Sequence, residues 1–172
     1  MSSFIPKATR PRFRALRKTE GSSILELALV SAILFAVLFG VIQFAWAFYA
    51  YNFVSEAARE AARFAIVRGS TSCANTPNLT YCNATPAQIQ NYVQSLGYAG
   101  LNSSKLIATT TWCAQTVSAT YSMTWPSCAS STANSPGNAV NVVVTYAFPL
   151  NIPFWKNQTL NLSSTARMVV AQ

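Results

Sequence analysis

The sequence predicts an α+β protein: a long N-terminal transmembrane and amphipathic helix, then a small domain with one short helix and an antiparallel sheet. Three observations predict it. Residues 27–55 form a run of 29 positions without a charged side chain. The stretch 56–68 adds helix formers, spaced alanines and no Gly or Pro. From about residue 105 the pattern changes to β-branched and aromatic runs punctuated by Pro, Gly and Asn.

Charge is unevenly placed. Of twelve cations, Lys7, Arg10, Arg12, Arg14, Arg17 and Lys18 fall in the first 18 residues, and the chain carries a formal +8. All four acids, Glu20, Glu26, Glu56 and Glu60, lie between positions 20 and 60. A basic block directly before an apolar run is the arrangement that keeps Lys and Arg on the cytoplasmic side of a membrane. It is therefore read as topology and not as a nucleic-acid site. The chain has no His and no Asp, and no carboxylate follows Glu60. That excludes His-based triads and His metal sites, and leaves the C-terminal region without an ordinary general acid or base. Lys105 or Lys156 would have to serve a serine nucleophile, and nothing around them suggests it. The chain reads as non-enzymatic, with no cofactor expected.

A bilayer core of about 30 Å needs about 20 helical residues, and residues 27–55 exceed that. The run is too long for the apolar core of a cleaved secretory signal, which has about 7–15 residues. It ends in Trp46, Phe48, Tyr49, Tyr51 and Phe53. Trp and Tyr favour the membrane–water boundary. The organisation expected is a cytoplasmic leader over 1–21, a long helix over 22–68 that spans the membrane at about 24–48, and an extracytoplasmic domain over 69–172. On the helix beyond the span, Ala57, Ala58, Ala61, Ala62 and Ala65 share one side at 100° per residue, and Glu56, Arg59, Glu60 and Arg63 the other. Within the span, Ala28, Ala32, Ala36 and Gly40 repeat every four residues, a small-residue ladder that lets helices approach closely in lipid.

Cys73, Cys82, Cys113 and Cys128 all follow residue 68, on the side where disulfides persist. Four cysteines allow three connectivities. The short loops favour Cys73 with Cys82 and Cys113 with Cys128. A zinc site is the second reading, without the usual paired spacing. Residues 86–96 predict a helix, with Thr85 as N-cap, Pro86 in the first turn, Gln88 completing a capping box and Gly97 ending it. Strands are expected over 105–113, 117–125 as its hairpin partner, 139–148, and 159–171. Pro149 and Pro153 are expected to break the pattern between the last two. The segments 70–84 and 126–138 read as loops pinned by disulfides. The alanine face and the 86–96 helix are the available covers for the sheet.

Glu26 is the one acid near the start of the apolar run. Either it lies near the headgroups and snorkels, or it has a function, the default for a carboxylate inside a membrane. Gly21, Ser22, Ser23, Ile24, Leu25 and Glu26 resemble the type III/IV prepilin processing motif, Gly followed by four residues and Glu. The glycine suits an extended chain entering a protease. Residues 26–65 resemble the N-terminal region of TadE-like proteins, the pseudopilins of tight-adherence (Flp) pilus systems. The likeness is carried by Glu26-Leu27-Ala28-Leu29-Val30, by Gly40 with polar Gln43, and by the Ala-Ala-Arg-Glu-Ala-Ala-Arg block at 57–63. Leu27 departs from the family's usual Phe, and Gln43 from its frequent Glu.

The resemblance implies cleavage between Gly21 and Ser22 by a prepilin peptidase and a pilin-like C-terminal domain. It also implies that Glu26 pairs with the new terminal ammonium of a neighbour. Implied partners are the membrane, the major Flp pilin, other TadE-like subunits and an inner-membrane assembly platform. The implied function is that of a minor pilin or pseudopilin in assembly of a type IVb pilus. The alternatives are a minor pseudopilin of a general secretion system and an uncleaved, signal-anchored binding module.

Overall fold

The computed structural model describes residues 19–114, 116–117, 123–124, 128–129, 134–150, 156 and 158–171. The basic leader through Lys18, Pro153 and most of the strand expected over 117–125 lie outside them. The chain divides into two compact units, 1–39 and 40–172. Helix α1, Thr19–Val67, contributes to both.

In the first unit the described side chains of α1 are exposed on every side, with only Ser31 half-buried. Leu25, Leu29, Ile33 and Phe35 all stand bare. A helix apolar all round is either a core helix or a membrane span. It is not a core helix of this chain, because the most apolar stretch of α1 is not buried at all. Helix α1 is long and apolar enough to cross a membrane. Ser31 satisfies its hydroxyl locally by donating to the Ala28 carbonyl at 2.9 Å, a common solution for a helical serine without water.

In the second unit α1 changes character. Ala50, Val54, Ala57, Ala58, Ala61, Ala62 and Ala65 are buried, forming a narrow face of mostly small side chains. The opposite face carries two i,i+3 ion pairs, Glu56 with Arg59 at 3.7 Å and Glu60 with Arg63 at 3.0 Å. They are largely exposed, and such pairs add only tenths of a kcal/mol.

After α1 comes one helical turn, α2, Ser72–Asn75, inside the region expected as loop. The Cys73–Cys82 disulfide closes this segment. Buried Ser72 ties it down by donating to the Gly69 carbonyl at 2.8 Å and accepting from the Asn83 amide at 3.0 Å. Helix α3, Pro86–Ser95, has the expected start: Thr85 caps Gln88 and Gln88 caps Thr85. Gly97 follows at φ +56, the left-handed conformation that stops a helix cheaply.

The sheet is antiparallel, in the order β4-β1-β5-β6. Its strands are β1, Leu106–Cys113, the two-residue β4, Cys128–Ala129, β5, Ala139–Leu150, and β6, Gln158–Val169. A separate two-residue ladder pairs β2, Thr116–Val117, with β3, Met123–Thr124. Leu106, Ala108, Thr110 and Trp112 lie opposite Tyr146, Val144, Val142 and Val140. All eight are buried. Leu162 and Ala166 of β6 extend this inner face. The inner face, the alanine face of α1, and Ile89 and Val93 of α3 form one core. Gln90 fixes α3 on β1: its amide NH₂ donates to the Leu106 carbonyl at 2.8 Å, and its carbonyl accepts from the Ala108 amide.

Three expectations change. The partner of β1 along its length is β5, not residues 117–125, because β5 offers a valine-rich inner face in matching register. Residues 126–138 are not all loop: Cys128 and Ala129 pair with Cys113 and Trp112, and the Cys113–Cys128 disulfide joins directly opposed residues. Pro149 does not break β5, which pairs through to Leu150 opposite Gln158. The β1 ladder ends opposite Tyr146. Beyond it, among the described residues, one side of β5 has no ladder partner, the edge position where proline is tolerated.

Candidate assembly helix and its aromatic collar

Each unit carries one candidate element. In the first, Gly21 and Ser22 are helical, within the first turn of α1. In the unbound chain this bond is helical, and an extended conformation would belong to the chain entering a protease. Glu26 is exposed and borders a shallow hollow with Ser23, Leu27 and Val30. Among the described residues, the ion pairs are those of Glu56 and Glu60, and Glu26 has no cationic partner. Ala28, Ala32 and Ala36 are exposed. A Cβ added at Gly40, the first residue of the second unit, would meet nothing. The helix surface at each of these four positions is thus free for another helix.

In the second unit an aromatic collar forms where the chain after α3 meets α1. Trp46, Tyr49 and Phe53 follow at i, i+3 and i+7, with Trp46 and Tyr49 ring centroids 5.8 Å apart and Tyr49 and Phe53 5.6 Å apart. Phe53 meets Tyr98 edge-on. The Tyr49 hydroxyl donates to the Ala99 carbonyl at 3.4 Å. Sequence reasoning assigned these α1 rings to the lipid boundary and missed Tyr98, Ala99 and Gly100 as their partners. The available signal was the pair of glycines, 97 and 100, around Tyr98.

Tyr98 holds its proton above the usual phenol range. Partial burial is the main cause, followed by the carboxylates of Glu56 and Glu60 and the nearby phenol of Tyr92. The unfolded chain releases this proton near pH 10. The folded chain holds it longer, so stability is intact below about pH 10 and declines as pH rises from there through the folded value. The midpoint of denaturant unfolding is expected to fall above that pH in the parent chain and to fall less steeply in Tyr98→Phe. Equal slopes would dismiss this assignment.

The four cysteines form the two local disulfides. Among the described residues, no three of His, Cys, Asp and Glu gather as a metal site would require.

Helix and domain together define a class: one apolar helix fit to anchor a membrane protein, carrying a small disulfide-bonded α+β domain. The likeness to known proteins lies in the helix. The model of the TadE-like protein family, TadE, matches residues 21–63. The matched segment starts at Gly21, includes Glu26 and the small-residue ladder, and ends with the Ala-Ala-Arg-Glu-Ala-Ala-Arg block. Over that segment the chain is similar to the TadE-like protein family. No curated protein and no solved structure matches the chain.

Proposed function

We propose that this chain is a non-enzymatic minor pilin or pseudopilin acting in assembly of a tight-adherence (Flp, type IVb) pilus. One observation carries the reading: the TadE-like segment coincides with an exposed apolar helix whose Glu26 stands five residues after Gly21 and has no cationic partner among the described residues. The chain inserts in the inner membrane with its basic end in the cytoplasm. A prepilin peptidase cuts between Gly21 and Ser22. The processed helix packs against the major pilin, sister TadE-like subunits and the inner-membrane assembly platform. Such packing is heterologous, the kind that yields open filaments. A second reading, an uncleaved anchored assembly factor, is favoured by the helical conformation of the cleavage site.

Intact-mass spectrometry of the chain purified from native membranes separates the two. A start at Ser22, reverting to the uncut chain in Gly21→Ala, is expected. An uncut chain in cells with an active prepilin peptidase would remove the processing step and leave the anchored factor.

A further inference from the structure

A groove of about 550 Å³ opens beside the collar, lined by Ile42, Ala45, Trp46, Tyr49, Ala99 and Gly100. One wall is α1 and the other is the chain that follows α3. The groove is built by a specific residue. Gly100 has φ +78, and a Cβ there would come within 2.8 Å of the Trp46 ring. Only glycine lets the backbone lie on that ring.

The helix surface around the groove is bare carbon. Val41, Ile42, Phe44 and Phe48 are exposed, Phe44 at 73%. The nearest charges along α1 are Glu56 and Arg59, about two turns beyond Tyr49. An exposed apolar surface of this kind marks an interaction site. Its shape selects the partner. At 100° per residue, the exposed side chains Val41, Ile42, Phe44, Ala45, Trp46, Phe48, Tyr49 and Tyr51 cover an arc of about 220°. The remaining arc holds Gln43, Ala47 and Ala50, which are wholly or partly buried. A protein partner needs an apolar stripe of about 100°. A surface that faces outward in every remaining direction fits a surrounding fluid. Depth agrees: counted from Ile24, a hydrocarbon core of about 20 helical residues ends near Gln43. Trp46 and Tyr49 then reach the boundary where such rings settle.

We propose that this groove holds the upper part of a lipid acyl chain, next to the glycerol, and that Gly100 and the collar seat the domain directly on the bilayer surface. The proposal rests on the membrane-span reading above.

The test uses the full chain reconstituted at low density in phosphatidylcholine vesicles. The difference in emission between the parent and Trp46→Phe isolates Trp46. Lipids brominated high on the acyl chain are expected to quench most of this emission, and aqueous iodide little of it. Ala99→Glu, which puts a charge at the groove rim on an exposed residue, is expected to reverse that preference with the near-ultraviolet circular dichroism of the domain unchanged. A Phe35→Trp reporter in the Trp46→Phe background reads the span by itself. If Phe35→Trp is quenched by lipid while Trp46 is reached by iodide, the span stands and the seating is overturned. If neither reporter is quenched by lipid, both readings fall. Trp46 shielded from lipid and iodide alike would mean that a second subunit covers the groove, which also overturns the proposal.

Discussion

Phe148→Ala is expected to destabilise the domain by about 3–5 kcal/mol, the usual cost of removing a buried phenylalanine. Phe148 sits on the inner face of β5, 1% exposed, and is among the largest side chains wholly inside the core. Much of the core that Phe148 belongs to has little freedom to fill the space. The helix that covers the sheet presents alanines, whose side chains have no rotamers to adjust. β5 is held on one side by the full length of β6. The gap therefore stays open, and the dispersion contacts of the ring are lost outright. Small domains have only about 5–15 kcal/mol in total, so the loss is a large share. Thermal unfolding should move down by roughly 10 °C or more. Ile107→Ala is the internal control. Ile107 lies on the outer face of β1, 58% exposed, and its truncation should stay within about 0.5 kcal/mol. Similar losses at the two positions would mean that the sheet does not bury the face assigned to it.

The elements whose signals are local were legible in the sequence. Helix α1 was readable from the charge-free run and from alanines that recur at helical spacing. Helix α3 was readable because Thr85, Pro86 and Gln88 state its start within four residues. Strands β5 and β6 were readable from β-branched alternation. What was not legible depends on residues far apart in sequence. The pairing of β1 with β5 joins Leu106 to Tyr146, and a nearer β-prone segment competes equally well on composition. Pro149 was read as a breaker because proline lacks a ladder donor; that it sits past the end of β1 is a fact of the assembled sheet. The same holds for the candidate sites. Glu26 and the small-residue ladder are sequence patterns. The collar arises because the chain after α3 lies across Trp46, and that requires the whole domain to be in place.

Glu26→Gln is expected to abolish incorporation of the chain into pili while leaving its membrane insertion intact. The substitution keeps the size and one acceptor oxygen, replaces the other by an NH₂ donor, and removes the charge. Under the proposed processing, Ser22 carries a free ammonium at the start of the helix, one turn from Glu26. Each charge alone is costly in lipid. Paired across two subunits at 4 Å, they attract by about 4 kcal/mol at an effective dielectric near 20. That corresponds to about three orders of magnitude in an association constant. The small-residue ladder gives close approach without an axial register, because each repeat of four residues looks like the next. A single charge pair selects one register among them. Glu26→Asp keeps the charge on a shorter arm and should fall between the parent and Glu26→Gln. The measurement is recovery of the chain with purified pili, normalised to its amount in membranes. The snorkelling reading predicts the opposite: a carboxylate that only reaches for the headgroups is dispensable, and glutamine would insert at least as well. Parent-like recovery of Glu26→Gln in pili would establish that reading and remove Glu26 from the assembly mechanism.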